Sequence, residues 1–209
     1  SNNVEEDKFQ PRKIRIGDVA EINPKTNFKK DLNATVSFLS MKDTDENSEI
    51  ISLQIKQFKE VAKGYTKFKE GDILVAKITP CFENGKGAFA LNLIDKRGFG
   101  STEFHIIRIK TDIANNKFIH YLTKSYLFRN SGKRSMRGSA GQQRVPADFI
   151  ENYEFYLPPI LIQNKIVQIF DSIELKIQKI QKKVTYFEKL KKSIELELLS
   201  GEKSIKGLL

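Results

Sequence analysis

Between Thr123 and Arg144 the chain carries Lys124, Arg129, Lys133, Arg134, Arg137 and Arg144 and no acidic residue. Positive charge at that density, interleaved with Gly, Ser and Gln in a loop, is the electrostatic footprint of a surface that meets phosphate backbones. Lys133, Arg134 and Arg137 are residue types that set register on phosphates, and Arg129 and Ser139 join the same candidate DNA-binding surface. Gln142, Gln143 and Arg144 are better suited to base edges, since Gln bonds adenine bidentately and Arg does so with guanine. Gly138 and Gly141 would let the backbone approach a duplex closely. Lys77, Thr79, Asn84 and Lys86 stand in a second loop between strands and complete the candidate set. The plainer reading of Gln142-Gln143-Arg144 is architectural, as a loop packed where a domain meets the helix that follows it.

Signatures of catalysis are weak, and neither catalytic nor metal-binding residues are assigned. Asn84-Gly85-Lys86-Gly87 contains a Gly-Lys pair, but Gly87 stands where a G-x-x-x-x-G-K-[ST] phosphate loop needs Ser or Thr. Leu157-Pro158-Pro159-Ile160 has the two prolines of the Asn/Asp-Pro-Pro-aromatic motif of amino-methyltransferases. Leu157 lacks the amide or carboxylate that would accept from the exocyclic amine of a flipped base. Asp72 and Lys77 suggest a nuclease, yet Val75 stands where a second metal-binding acid is wanted. Cys81, His105 and His120 form no ligand cluster, and a single cysteine excludes an intramolecular disulfide. Both histidines are expected to be structural.

The net charge is +10 over 209 residues, and it is informative because it is concentrated; Met41 to Ile50, by contrast, is acidic. No run of about 18 apolar residues exists to span a membrane. Ser1 to Gln10 is polar and acidic, unlike a signal peptide, so the cytoplasm is the expected compartment.

The elements that must position these residues read as an α+β fold, mainly β in its first hundred residues. Strands are predicted over Lys13–Ile16, Thr35–Ser40, Ile50–Ile55, Ile73–Ile78, Ala88–Ile94 and Thr102–Ile109. A helical turn is expected through Val19 to Ile22, and Gly98 and Gly100 read as a turn. The period then changes: Phe118, Tyr121-Leu122 and Ser125-Tyr126 predict one amphipathic helix over Asn115–Arg129, capped by Asn115 or Asn116 and ended by Asn130-Ser131-Gly132. Pro146 starts a short helix through Ile150, and Glu154–Leu157 is a last strand.

From Leu161 to Leu199 there is no Gly and no Pro, and Ile166, Phe170, Ile173, Ile177, Ile180, Val184 and Phe187 recur in alternating steps of four and three. That is the seam of a coiled coil, continued with a local stammer to Leu190 and Ile194. A helix of about 38 residues would be about 57 Å long, more than one small domain can cover, so the seam is expected to need a partner. The alternative is a long surface helix on its own domain. The chain thus divides into a tail at 1–10, a globular domain at 11–158, a long helix at 159–200 and a tail at 201–209.

Gly138-Ser-Ala-Gly-Gln-Gln-Arg-Val-Pro146, then Tyr156-Leu-Pro-Pro159, then Gln163-Asn-Lys-Ile-Val-Gln-Ile-Phe-Asp171 opening a long helix, resemble the specificity (S) subunit of type I restriction-modification systems. Gly71-Asp72-Ile73-Leu74-Val75-Ala76-Lys77, Gly100-Ser101-Thr102-Glu103-Phe104 and Ile16-Gly17-Asp18-Val19 are similar to further blocks of that family. The resemblance spans Arg12 to about Leu199 and implies a target recognition domain reading one half of a bipartite site in double-stranded DNA. The helix would be a spacer and a docking surface for methyltransferase (M) and restriction (R) subunits. The chain itself would be non-catalytic and hold no cofactor, S-adenosylmethionine belonging to the methyltransferase subunit. A full S subunit resembles two such units in tandem with antiparallel helices, whereas this chain has one unit and no internal repeat. It is therefore expected to be a half-size form that dimerises through the helix, or a part of a longer S subunit or fused restriction-methylation enzyme. A homodimer would predict a two-fold symmetric, interrupted DNA site. A coiled-coil adaptor whose basic face only confers solubility is the alternative from another class.

Overall fold

The computed structural model describes residues 11–139 and 141–199; the predicted tails at 1–10 and 201–209 lie outside the described residues. The chain divides into two units with the boundary between Asn164 and Lys165.

The first unit is built on three sheets. Strand β1 (Arg12–Arg15) pairs antiparallel with β10 (Glu154–Leu157). The second sheet, in the order β2-β9-β6-β7, is antiparallel and comprises β2 (Ala20–Ile22), β6 (Ile73–Ala76), β7 (Gly87–Phe89) and β9 (Phe104–Ile109). The third, in the order β4-β3-β8-β5, comprises β3 (Thr35–Leu39), β4 (Gln54–Gln57), β5 (Thr66–Lys69) and β8 (Arg97–Gly100), with β3 and β8 parallel.

The period of two along the strands explains how these layers stack. In β6 every residue is buried, Ile73 and Val75 in one core and Leu74 and Ala76 in another. The first core lies against helices: Val75 and Ile107 share it with Ile16, Ile119, Phe128 and Ile150. The second is sealed between sheets, where Leu74, Ala76, Phe104 and Ile106 meet Leu39 and Phe68. On the far side of the third sheet, Val36, Phe38 and Phe99 pack with Phe58 and Val61 of a short helix, α2 (Phe58–Val61).

Several expectations are corrected. The helical turn lies earlier than predicted, at α1 (Ile16–Val19), because Ile16 and Val19 face the core; Ala20–Ile22 continues as β2. The strand expected at Ile50–Ile55 lies at Gln54–Gln57 on a sheet edge, and Ile51 and Ile55 are exposed. Gly98 and Gly100 are not a turn but sit inside β8. A Cβ on Gly98 would come within 2.1 Å of the Phe68 ring, so the absent side chain makes room for an aromatic one from the neighbouring strand. The single helix expected over Asn115–Arg129 is two, α3 (Asn116–Lys124) and α4 (Tyr126–Ser135). Ser125 breaks it with an extended backbone and caps α4 by accepting from the Phe128 N–H at 3.3 Å. The expected stop at Asn130-Ser131-Gly132 lies inside α4, where Gly132 leaves space for the Phe82 ring.

Asn115 caps α3, its Oδ1 accepting from the N–H groups of Lys117 and Phe118 at 2.8 and 3.1 Å. A short helix α5 (Ala147–Asn152) follows Pro146. The long helix α6 (Ile160–Leu199) runs 40 residues without a break. Its first turn is fixed within the first unit by Gln163, which is fully buried. The Gln163 amide donates to Ile113 O at 2.8 Å and Pro158 O at 2.7 Å and accepts from the Asn115 N–H at 2.8 Å. From Lys165 to Leu199 the chain is helix, and Phe170, Ile173, Ile177, Ile180, Val184, Phe187, Leu190 and Ile194 are exposed along it. Among the described residues, no helix is long and apolar enough to cross a membrane, and no group of three or more His, Cys, Asp or Glu side chains could hold a metal.

Candidate nucleic-acid interface

The two loops singled out in the sequence are brought side by side. The segment 137–144 closes on itself, the N–H groups of Arg137 and Arg144 each donating to the other's carbonyl at 2.9 Å. Gly138 and Gly141 adopt φ of +124° and +83° within it, a region that costs glycine nothing. The loop is stitched to the end of β6: Thr79 N–H donates to Gln143 O at 2.9 Å and Val145 N–H to Lys77 O at 2.8 Å. His105 anchors it from below, with Nε2 2.9 Å from Val145 O and Nδ1 3.0 Å from Asn23 Nδ2. Burial lowers the His105 pKa, so the neutral ring serves as a structural strut.

The basic residues divide into groups. Arg129 is only 7% exposed and is turned inward, so it is not part of the surface that the sequence suggested. Its Nε donates to Thr123 O at 2.7 Å, Nη1 to Phe82 O at 3.0 Å, and Nη2 to Ser48 Oγ and Gly85 O, each at 3.2 Å. The guanidinium also lies 4.9 Å from the Phe82 ring centroid. Arg129 therefore fastens the β6–β7 loop to α4, and burial pushes its pKa down to about 10. Lys124 pairs with Glu49, and Arg137 with Asp148 at 3.0 Å on the surface.

Arg144 grips Glu103 through two nitrogens while Nη1 donates to Gln142 O at 3.2 Å. The bond from Arg144 holds the Glu103 carboxyl below the usual carboxylate range. Glu103 was not singled out as Arg144's partner in the sequence, because 41 residues separate the two.

Lys133 and Arg134 are exposed on α4 and have no ion-pair partner among the described residues. They stand on a helix, not in the loop the sequence suggested. Gln142 and Ser139 are exposed, and Gln143 is half-buried; the side-chain amides of Gln142 and Gln143 have no hydrogen-bond partner among the described residues. In the neighbouring loop, Asn84 donates to Glu46 at 3.1 Å and the Lys86 ammonium to Met41 O at 3.2 Å, so both tie down the acidic segment. Thr79 donates to Glu83. Lys77 is half-buried, and desolvation lowers its pKa. The arrangement presents a backbone-stiffened ledge with free amides on it and two unpaired cations on the adjoining helix. A surface of that kind can bind an anionic polymer and bond its polar edges, and nothing in it is arranged as a nucleophile and base.

A family model described as the type I restriction modification DNA specificity domain matches residues 9–186. The chain is 43% identical over 159 residues to the specificity subunit of the Escherichia coli type I restriction enzyme EcoAI, covering 74% of this chain and 26% of that protein. With the EcoEI specificity subunit of the same organism it shares 39% over 161 residues, 77% of this chain and 27% of that protein. The chain thus spans about a quarter of the length of these relatives. Among solved structures, its fold is similar to the HsdS subunit from Thermoanaerobacter tengcongensis, with a TM-score of 0.66 at 20% identity over 91% of this chain and 47% of that one. The S subunit from M. genitalium has a TM-score of 0.57 at 14% identity over 93% of this chain and 47% of that one.

Proposed function

The chain belongs to the type I restriction-modification DNA specificity family, and from that premise we propose that its domain reads one half of a bipartite site in double-stranded DNA. The observation that carries this reading is the ledge formed by residues 137–144 and the end of β6, with Gln142, Gln143 and Ser139 outward and Lys133 and Arg134 on the adjoining helix. In this reading Lys133 and Arg134 hold phosphates, and Gln142 and Gln143 reach base edges. The chain supplies specificity and no chemistry of its own; S-adenosylmethionine and the cleavage machinery belong to M and R subunits, in the cytoplasm. Helix α6 serves as spacer and docking surface, its exposed seam taking a second helix from another copy of this chain.

The test is a selection of bound sequences from a randomised duplex pool, with the chain alone and together with its methyltransferase subunit. A short block of fixed bases is expected, repeated as its inverted copy across a gap if two chains act together. A pool with no enrichment in either format overturns the reading.

A further inference from the structure

We propose that the cleft lined by Lys67 and Lys77 is a second anion site, which takes a phosphate group apart from the 137–144 ledge. The cleft has a volume of about 330 Å³ and lies where the loop after β2 meets β5 and the end of β6. Asn23, Thr26, Tyr65, Lys67 and Lys77 line it, beside the apolar Phe104 and Ile106. No carboxylate does so. Lys67 and Lys77 have no ion pair or side-chain hydrogen bond among the described residues, although both are half-buried.

The acid nearest to hand, Glu103, is already bound to Arg144. Lys77 feels Glu103 without bonding to it and against the like charge of Arg144, and desolvation outweighs that attraction and lowers its pKa; a half-buried ammonium so placed is one that an anion relieves. The wall is rigid: Asn23, at φ +53°, donates its N–H to Ile106 O at 2.7 Å and accepts from the Ile106 N–H at 3.0 Å. Thr26 is held by Arg108, which is itself locked on Asp72. Two lysines on a stiff, hydroxyl-rich cleft fit a phosphate oxyanion, lysine being the point-charge phosphate binder. The shared chemistry is the phosphate; its source is the DNA backbone if the domain reads DNA as proposed above, or a free phosphate if it does not.

The experiment records amide shifts of the isotope-labelled full chain titrated with inorganic phosphate and, separately, with a short mixed-sequence duplex. The Lys67→Gln and Lys77→Gln variants accompany it, with the salt dependence of duplex binding measured for each. Phosphate is expected to shift the amides of Asn23, Thr26 and Lys67, and each variant to suppress those shifts. A fall in the salt slope of about one per lysine removed identifies the DNA backbone as the source. Cleft shifts with phosphate and an unchanged slope support the site with a free phosphate as its ligand. Silence of the cleft toward both probes overturns the inference, and Lys67→Gln, on the rim, guards against a variant that fails to fold. If the duplex then shifts only the amides around Lys133 and Gln142, DNA reading stands and the cleft site alone falls. If the duplex shifts nothing while phosphate moves the cleft, the site stands and DNA reading falls.

Discussion

Arg144 and Glu103 form a two-pronged ion pair, Nε to Oε2 at 3.0 Å and Nη2 to Oε1 at 2.9 Å, across the rim of the ledge. The guanidinium fork is occupied, so Arg144 can read a guanine only by releasing its acid. Glu103→Ala removes a negative charge from the rim and frees the fork. Binding of a mixed-sequence duplex is expected to tighten at low salt, with a salt slope steeper by about one between about 50 and 200 mM. Fluorescence anisotropy measures this directly. The pair is solvent-facing, so unfolding stability should move little. Weaker binding in the variant would show that Arg144 works as a buttress held by Glu103.

Arg129 belongs to the core, and its variants separate structural charge from binding charge. Arg129→Ala removes the buried guanidinium that donates to the carbonyls of Thr123, Phe82 and Gly85 and is expected to cost about 3 kcal/mol or more. Arg129→Lys should recover little, since an ammonium cannot span the same fan of acceptors. Lys133→Ala and Arg134→Ala should stay within about 0.5 kcal/mol of the parent while lowering the salt slope of DNA binding. Urea unfolding and anisotropy on the same preparations give both readings.

His120 is buried against Phe89 and Tyr121 with Nδ1 unpartnered, and burial drives its pKa down to about 3. An unfolded histidine titrates near the ordinary value of about 6.5. Between those values the unfolded chain binds the extra proton, so stability falls as pH drops through the window and is unaffected by this group above it. Each pH unit inside the window is worth at most about 1.4 kcal/mol. His120→Leu should therefore flatten the loss of stability between about pH 6.5 and 4.5. Denaturant midpoints of parent and variant across that range decide it, with His105, shifted in the same direction, present in both.

The seam of α6 is flanked by Glu174, Glu188 and Glu195 on one side and by Lys176 and Lys183 on the other. An antiparallel pair of identical helices sets each flank against its own copy, so like charges face each other. Self-association is therefore expected to strengthen as salt screens these contacts, and Ile180→Asp to abolish it by placing a charge in the apolar seam. Light scattering checks both; a mass that stays at 24.0 kDa across concentration and salt overturns self-pairing.

The long helix and β6 were legible because their patterns are local: 4-3 spacing free of Gly and Pro in one, an unbroken apolar run behind Gly71-Asp72 in the other. What escaped depended on contacts distant in sequence. Ser125 looks like any serine in a helix until the burial of Phe128 favours its role as a cap. Gly98 looks like a turn until the Phe68 ring lies where its side chain would be. Arg129 looked like a phosphate contact because spacing shows charge, and only the fold brings Ser48, Phe82 and Gly85 around it. The ledge was half visible: its two loops were named, but their backbone stitching was not.

Strands β1 and β10 pair along their whole length, Arg12 opposite Leu157 and Arg15 opposite Glu154. The polypeptide therefore enters and leaves the first unit at one place, through a two-stranded stem whose Phe155 and Leu157 are also rooted in the main core. Anything spliced between the two strands of such a stem leaves the flanking chain where it was, provided its own ends lie equally close. A segment from β2 to α5 exchanged for another with equally close ends is therefore expected to leave the β1–β10 pairing in register.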